Sequence, residues 1–249
     1  MKAMIFTTVV AVALLTGCSK AGDVTANSTD NAQGASSAAG VKAPAGTEWA
    51  ATVVKTPENG FMMGNPAAPV KLIEYGAMSC SHCAEFAEAS KDGLKALVNK
   101  GNVSYEYRNF LLNVMDVPAS LLVRCGGPAP FFQIAEQMFA DQRNWLGRTS
   151  SITQAEQQAM SKMTPTQTAQ MLASKLELDK FVQQRGVPSE KIAACLSDPK
   201  AIDELGKISE VGQKEFQITG TPTFIINGQV VKDANTWDKI EPMLKAAGA

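Results

Sequence analysis

Two cysteines separated by two residues, Cys80-Ser81-His82-Cys83, stand where a short β-prone run gives way to a long helical pattern. The run Val70–Tyr75 reads as a buried strand. A helix is expected from about Ser79–Ser81 to Asn99, with Ala84, Phe86, Ala87, Leu94 and Leu97 on its buried stripe and Gly101 closing it. Val103–Phe110 alternates Val, Tyr, Tyr and Phe with polar residues and reads as a second strand, its aromatic side chains in the core. A β–α–β order implies a parallel strand pair joined by a right-handed crossover. The cysteines therefore sit at the mouth of a helix that leaves the carboxyl end of a strand.

That placement has chemical consequences. Residues three apart on a helix are neighbours, and a small adjustment brings their sulfurs into bonding range. The first cysteine lies where unpaired N–H groups and the positive end of the helix dipole converge, which stabilises a thiolate. A thiolate is the attacking species in disulfide exchange and also leaves well. His82, if protonated, adds positive charge beside Cys80. Two other readings compete: half of a zinc site, and a static disulfide. Zinc needs four ligands, and no second C-x-x-C or C-x-H exists. Strand–CxxC–helix context in an exported chain favours redox chemistry.

Along the rest of the chain, Trp49–Val54 is expected to be a first strand, with turns at 57–60 and 64–66. Residues 116–215 look helical throughout. Start signals are Asp116 with Pro118, Pro130, Thr164-Pro165-Thr166-Gln167 and Ser197-Asp198-Pro199, with Gly186 and Pro188 as punctuation. Thr223–Asn227 returns to strand character, Gly228 turns, Val230-Val231 starts a hairpin partner, and Trp237–Ala246 is a closing helix. The fold class is α/β, and there is no internal repeat.

The amino terminus reads MKAMIFTTVVAVALLTGC, with Lys2 ahead of an apolar stretch of signal-peptide length. Leu15-Thr16-Gly17-Cys18 is similar to the lipobox of bacterial lipoproteins, which implies cleavage before Cys18 and its acylation. Residues 19–47 are mostly small and polar and cannot bury enough surface to order themselves. The expected organisation is a signal over 1–17, a lipid-anchored tether over 18–47 and a folded part over 48–249, with helical residues inserted at about 116–200. Ser19 lacks the acidic character that retains lipoproteins at the inner membrane, which weakly favours the outer membrane. A net charge of -1, from 23 basic and 24 acidic residues, gives no nucleic-acid signal. The single histidine removes multi-histidine metal sites.

Val70–Cys83, the long helix, the helical block and then Gly220-Thr221-Pro222-Thr223-Phe224 together resemble the thioredoxin-fold DsbA family of periplasmic disulfide oxidoreductases. The resemblance covers about residues 48–249 and implies a thioredoxin fold with an inserted helical subdomain. It implies Cys80 as nucleophile, Cys83 as resolving thiol, and Pro222 as a cis proline presenting the Thr221 backbone to substrate. It implies Glu74 as a buried acid beneath the dithiol. Ser81 departs from the Pro-His dipeptide of DsbA itself, and Thr221 is more like isomerase-type relatives. The expected activity is oxidation of cysteine pairs in unfolded or partly folded exported proteins, with a membrane redox partner resetting the dithiol and no metal or organic cofactor. Reduction or isomerisation on the same fold is the alternative, as is a copper- or partner-binding lipoprotein. Met78 is expected to line an apolar surface for substrates.

Of the five cysteines, Cys125 and Cys195 remain. In an exported protein they pair, closing about 70 residues, or else stay as buried free thiols.

Overall fold

The computed structural model describes residues 42–249. The signal expected over 1–17, Cys18, and the tether expected over 18–47 as far as residue 41 lie outside the described residues. A six-stranded sheet runs in the order β1-β2-β4-β3-β5-β6. Its strands are β1 (Val53–Lys55), β2 (Phe61–Gly64), β3 (Val70–Gly76), β4 (Val103–Asn109), β5 (Thr223–Ile226) and β6 (Gln229–Val230). β3 and β4 are parallel, with Glu74 beside Tyr107 and Tyr75 beside Arg108, and the other pairs are antiparallel. The parallel pair is joined by α1 (Ser81–Asn99), as the β–α–β reading requires.

The amino-terminal edge differs from expectation. Trp49–Ala51 is a single 3-10 turn rather than strand, closed by the Thr52 N–H on the Trp49 carbonyl, because the Trp49 ring is drawn into the core. β1 starts only at Val53 and forms a hairpin with β2 around Asn59, which adopts φ 64°. β2 was not legible: four residues, Phe61-Met62-Met63-Gly64, stand between two turn signals with no alternation to read.

β4 is a strand with its aromatics in the core, as expected, and its polar residues are buried as well, so that all seven positions are covered. Successive side chains point to opposite faces. Tyr105 and Tyr107 pack against Phe131, Phe132 and Phe139 of α3 (Phe131–Ala140). On the other face Glu106 accepts from Arg108 Nε at 2.8 Å and from Thr56 Oγ1 at 2.7 Å, and Arg108 donates to the Tyr75 hydroxyl at 3.1 Å. Ionised partners that satisfy one another make the burial tolerable. Tyr75 in turn packs on Phe216, at the end of α9 (Pro199–Phe216). A Cβ at Gly212 would stand 2.8 Å from the Tyr75 ring, so α9 approaches the sheet there only without a side chain.

Between β4 and α9 lie α2 (Asp116–Cys125), α3, α4 (Gln142–Gly147), α5 (Gln154–Met160), α6 (Pro165–Lys175), α7 (Leu178–Gln183) and α8 (Ser189–Ser197). α2 is the spine of this block, contacting α3, α6, α7, α8 and α9. Thr153 and Thr164 each close a capping box, and Pro165 takes the first helical position of α6 as its sequence predicts. α10 (Trp237–Ala246) packs against α1. Among the described residues no helix is long and apolar enough to cross a membrane.

Candidate active site

Cys80 is the residue that caps α1. Its Sγ accepts the Cys83 N–H at 3.2 Å, in the place a serine or aspartate oxygen takes at other helix starts. Both thiols are free; Cys80 keeps 7% of its surface exposed and Cys83 none. The Cys80 thiol lies 3.2 Å from the Thr221 carbonyl, to which it donates, and the Thr221-Pro222 bond is cis. Thr221 and Pro222 thus stand directly across from the dithiol, 141 residues on in the chain.

The two sulfurs are displaced in opposite directions. Cys80 is lowered from 9.0 to about 6. Hydrogen bonding from Cys83 is the largest cause; burial opposes it, and Thr221 and the backbone N–H groups of Cys83 and His82 assist. The Thr221 hydroxyl favours the ionised sulfur without completing a hydrogen bond, and among the described residues it is the one buried side-chain oxygen left unpaired. Cys83 is pushed well above 9.0, chiefly by burial and then by Cys80 and Glu74. His82 therefore reaches Cys80 through its backbone. Its imidazole is exposed and borders a groove with Glu85, Phe86 and Trp237.

Glu74 lies on β3 and is 1% exposed. Burial raises it from 4.5 to about 8; the Tyr105 hydroxyl, donating at 2.5 Å, holds it down, and the charge of Cys80 raises it further. A carboxyl in this range holds or releases a proton near neutrality beside a thiol that ionises only with difficulty.

Three residues that position the site carried no functional signal in the sequence. Gln142 of α4 is buried and donates from Nε2 to the carbonyls of Met78 at 2.8 Å and Cys80 at 2.9 Å. Nothing in its local sequence marks it. Asp116, readable only as a helix start, is fully buried and accepts from the N–H groups of Ser79 at 2.8 Å, Leu112 at 2.9 Å and Asn113 at 3.0 Å. Burial raises it, and these hydrogen bonds oppose the rise. Tyr105 reads as core. Its position on a strand parallel to the one bearing Glu74 is the only hint of its contact.

Met78 departs from expectation. It is fully buried, with the Tyr107 hydroxyl 3.7 Å from its sulfur, so it forms the floor of the site rather than a surface for substrates. The exposed apolar side chains on this side are Leu112 and Val114, in the loop that Asp116 ties to Ser79. Cys125 and Cys195 are bonded, with S–S 2.06 Å and Cα–Cα 6.0 Å, and join the end of α2 to α8. Among the described residues, no group of three or more His, Cys, Asp or Glu side chains is placed to hold a metal ion.

A family model described as Thioredoxin matches residues 56–246. Two provisionally named protein-disulfide oxidoreductases, from Rickettsia bellii and Rickettsia prowazekii, are 25% and 24% identical over 176 residues, or 70% of this chain. The matched part spans only 59% and 56% of those relatives' own lengths. A protein-disulfide isomerase from Novosphingobium aromaticivorans superposes with a TM-score of 0.71 at 27% identity, covering 75% of this chain and 96% of that one. Wolbachia pipientis alpha-DsbA1 superposes with a TM-score of 0.62 at 18% identity, covering 78% and 93%, a likeness of fold.

Proposed function

The chain belongs to this thioredoxin family, and from that premise we propose that it is a thiol–disulfide oxidoreductase that oxidises cysteine pairs of unfolded or partly folded exported proteins. The observation that carries the reading is the opposite displacement of the two sulfurs, Cys80 down to about 6 and Cys83 well above 9.0.

In the oxidised protein a substrate thiolate attacks Cys80 Sγ. The Cys80–Cys83 bond breaks, its electron pair passes to Cys83, and Glu74 supplies the proton that this buried sulfur requires. A second substrate thiolate then attacks the substrate sulfur of the mixed disulfide, and Cys80 leaves as a thiolate. The substrate loses two electrons and the dithiol gains them. At pH 7 a group with a pKa of about 6 carries about ten thiolates per thiol. That ionisation stabilises the reduced form by about 1.4 kcal/mol, equivalent to about 30 mV of added oxidising power. The Thr221 backbone, 3.2 Å from the nucleophile, is placed to pair with an extended substrate segment.

The dithiol is itself the redox group, so the reaction needs no metal or organic cofactor, and a membrane redox partner restores the disulfide. The Leu15-Thr16-Gly17-Cys18 sequence and the polar stretch that follows support a bacterial envelope protein facing the periplasm, lipid-anchored through Cys18, with the outer membrane favoured by Ser19. Isomerisation is the second reading. It is favoured by the name of the Novosphingobium neighbour at 27% identity.

A glutathione titration of the Cys80–Cys83 pair separates the directions: a potential near about -120 mV marks an oxidant and one near about -270 mV a reductant. Cys80→Ser is expected to abolish oxidation of a reduced, unfolded test protein, and Cys83→Ser to accumulate mixed disulfides. Retention of activity by both variants refutes the proposal.

A further inference from the structure

Tyr105 belongs to two structures at once. Its hydroxyl donates to Glu74 at 2.5 Å, and the same residue walls a cavity of about 30 Å³ between α1 and α3. That volume accommodates a water molecule. Tyr107 and Ala87 also line the cavity, and its charged border is formed by Lys91 and Lys95 of α1 and Glu136 of α3. Lys95 and Glu136 are paired at 2.8 Å, and both are partly exposed. Glu74 also feels the charge of Cys80, and the carbonyl of the buried Met78 ahead of the dithiol is covered by Gln142.

We propose that Tyr105 is a positioning residue for Glu74, and that the proton Glu74 exchanges with Cys83 travels to and from solvent through the Tyr105 hydroxyl and the α1–α3 cavity, not across the substrate-facing surface. This rests on the oxidoreductase reading and adds to it the route by which the buried acid is reloaded. During reduction of the Cys80–Cys83 disulfide, an incoming thiolate bonds to Cys80 Sγ and Cys83 leaves with the electron pair. Glu74 gives its proton to Cys83. Tyr105 passes its hydroxyl proton to the Glu74 carboxylate as it takes one from cavity water, so the ring is neutral before and after. Burial and the adjoining Glu74 hold Tyr105 well above 10.0, which is consistent with a neutral carrier. The groups facing this pair are Cys80 and Cys83 from the dithiol, Tyr107 from β4, Lys91 and Lys95 from α1, and Glu136 from α3. A route on this side keeps proton transfer open while a bound polypeptide covers Cys80.

The test is the rate at which excess dithiothreitol reduces the oxidised full-length protein, followed by acid quench and alkylation between pH 5 and 9. Tyr105→Phe keeps the ring and removes the hydroxyl. It is expected to slow reduction at least about tenfold, and to raise the Glu74 midpoint in a carboxyl carbon-13 NMR titration. Tyr105→Phe/Glu74→Gln should be no slower than Glu74→Gln alone. Ala87→Leu, which fills the cavity from a partly exposed helix position, should slow reduction while leaving the Glu74 midpoint in place. The proposal is overturned if Tyr105→Phe reduces at the wild-type rate with an unchanged pH profile. It is equally overturned if Tyr105→Phe slows the Glu74→Gln variant by the same factor as wild type, or if Ala87→Leu has no effect. A wild-type protein with no reducible Cys80–Cys83 disulfide would instead overturn the oxidoreductase reading itself, so the two failures are distinct.

Discussion

Glu74→Gln should make the protein more stable, and by an amount that depends on pH. Burial lifts the Glu74 carboxyl from 4.5 to about 8. A folded-state pKa above the unfolded one means that the group's contribution is fully present below about pH 4.5 and is lost as pH rises through about 8. At about 1.4 kcal/mol per pKa unit, the loss is on the order of 1 kcal/mol at pH 5, 3 kcal/mol at pH 7 and 5 kcal/mol at pH 9. Glutamine preserves an acceptor for the Tyr105 hydroxyl and never ionises. Urea unfolding of wild type and Glu74→Gln, both with the dithiol oxidised, should therefore show a difference that grows from pH 5 to pH 9. Oxidation removes the Cys80 charge that adds to the rise, so these values are upper bounds, but burial, the larger cause, remains. A stability difference that stays flat over this range would mean that Glu74 titrates as an ordinary carboxylate, and the proton-donor role would fall with it.

Three further outcomes follow from the same geometry. The absorbance of the reduced protein at 240 nm should rise by one thiolate around pH 6, be lost in Cys80→Ser, and show no second thiolate until well above pH 9. Replacing Cys125 and Cys195 by alanine removes a cross-link spanning 70 residues, which should lower the urea-unfolding free energy by about 4 kcal/mol in the loop-entropy account. Gln142→Leu removes the donor to the buried Met78 carbonyl and leaves the Cys80 carbonyl with only the Ala84 N–H; it should cost on the order of 2 kcal/mol in chemical denaturation and raise amide exchange in the loop before α1.

The sequence carried most of this fold because its signals were local and mutually consistent. Strand, CxxC and helix follow one another between Val70 and Asn99, and Thr164-Pro165 and Trp237–Ala246 mark helices that the structure places at the same residues. What it concealed depends on contacts distant in the chain. The polar residues of β4 imitate a solvent-facing pattern because Glu106 and Arg108 satisfy one another under the β1–β2 hairpin, and no local rule reports that. Gln142 is an unremarkable helix residue until a chain reversal brings it to carbonyls 62 and 64 positions earlier. Met78 illustrates the opposite error: two residues from a reactive cysteine it invites a functional reading, whereas the tight turn into α1 points it inward.

The two hydrogen bonds from Gln142 set a limit on how far this architecture can be pared down. A minimal redox protein made by excising the inserted helices would keep the sheet, the dithiol and the proline opposite, yet lose the amide that those two carbonyls share. Whoever shortens the chain must graft a substitute donor at that spot, or accept a reactive loop whose shape wanders.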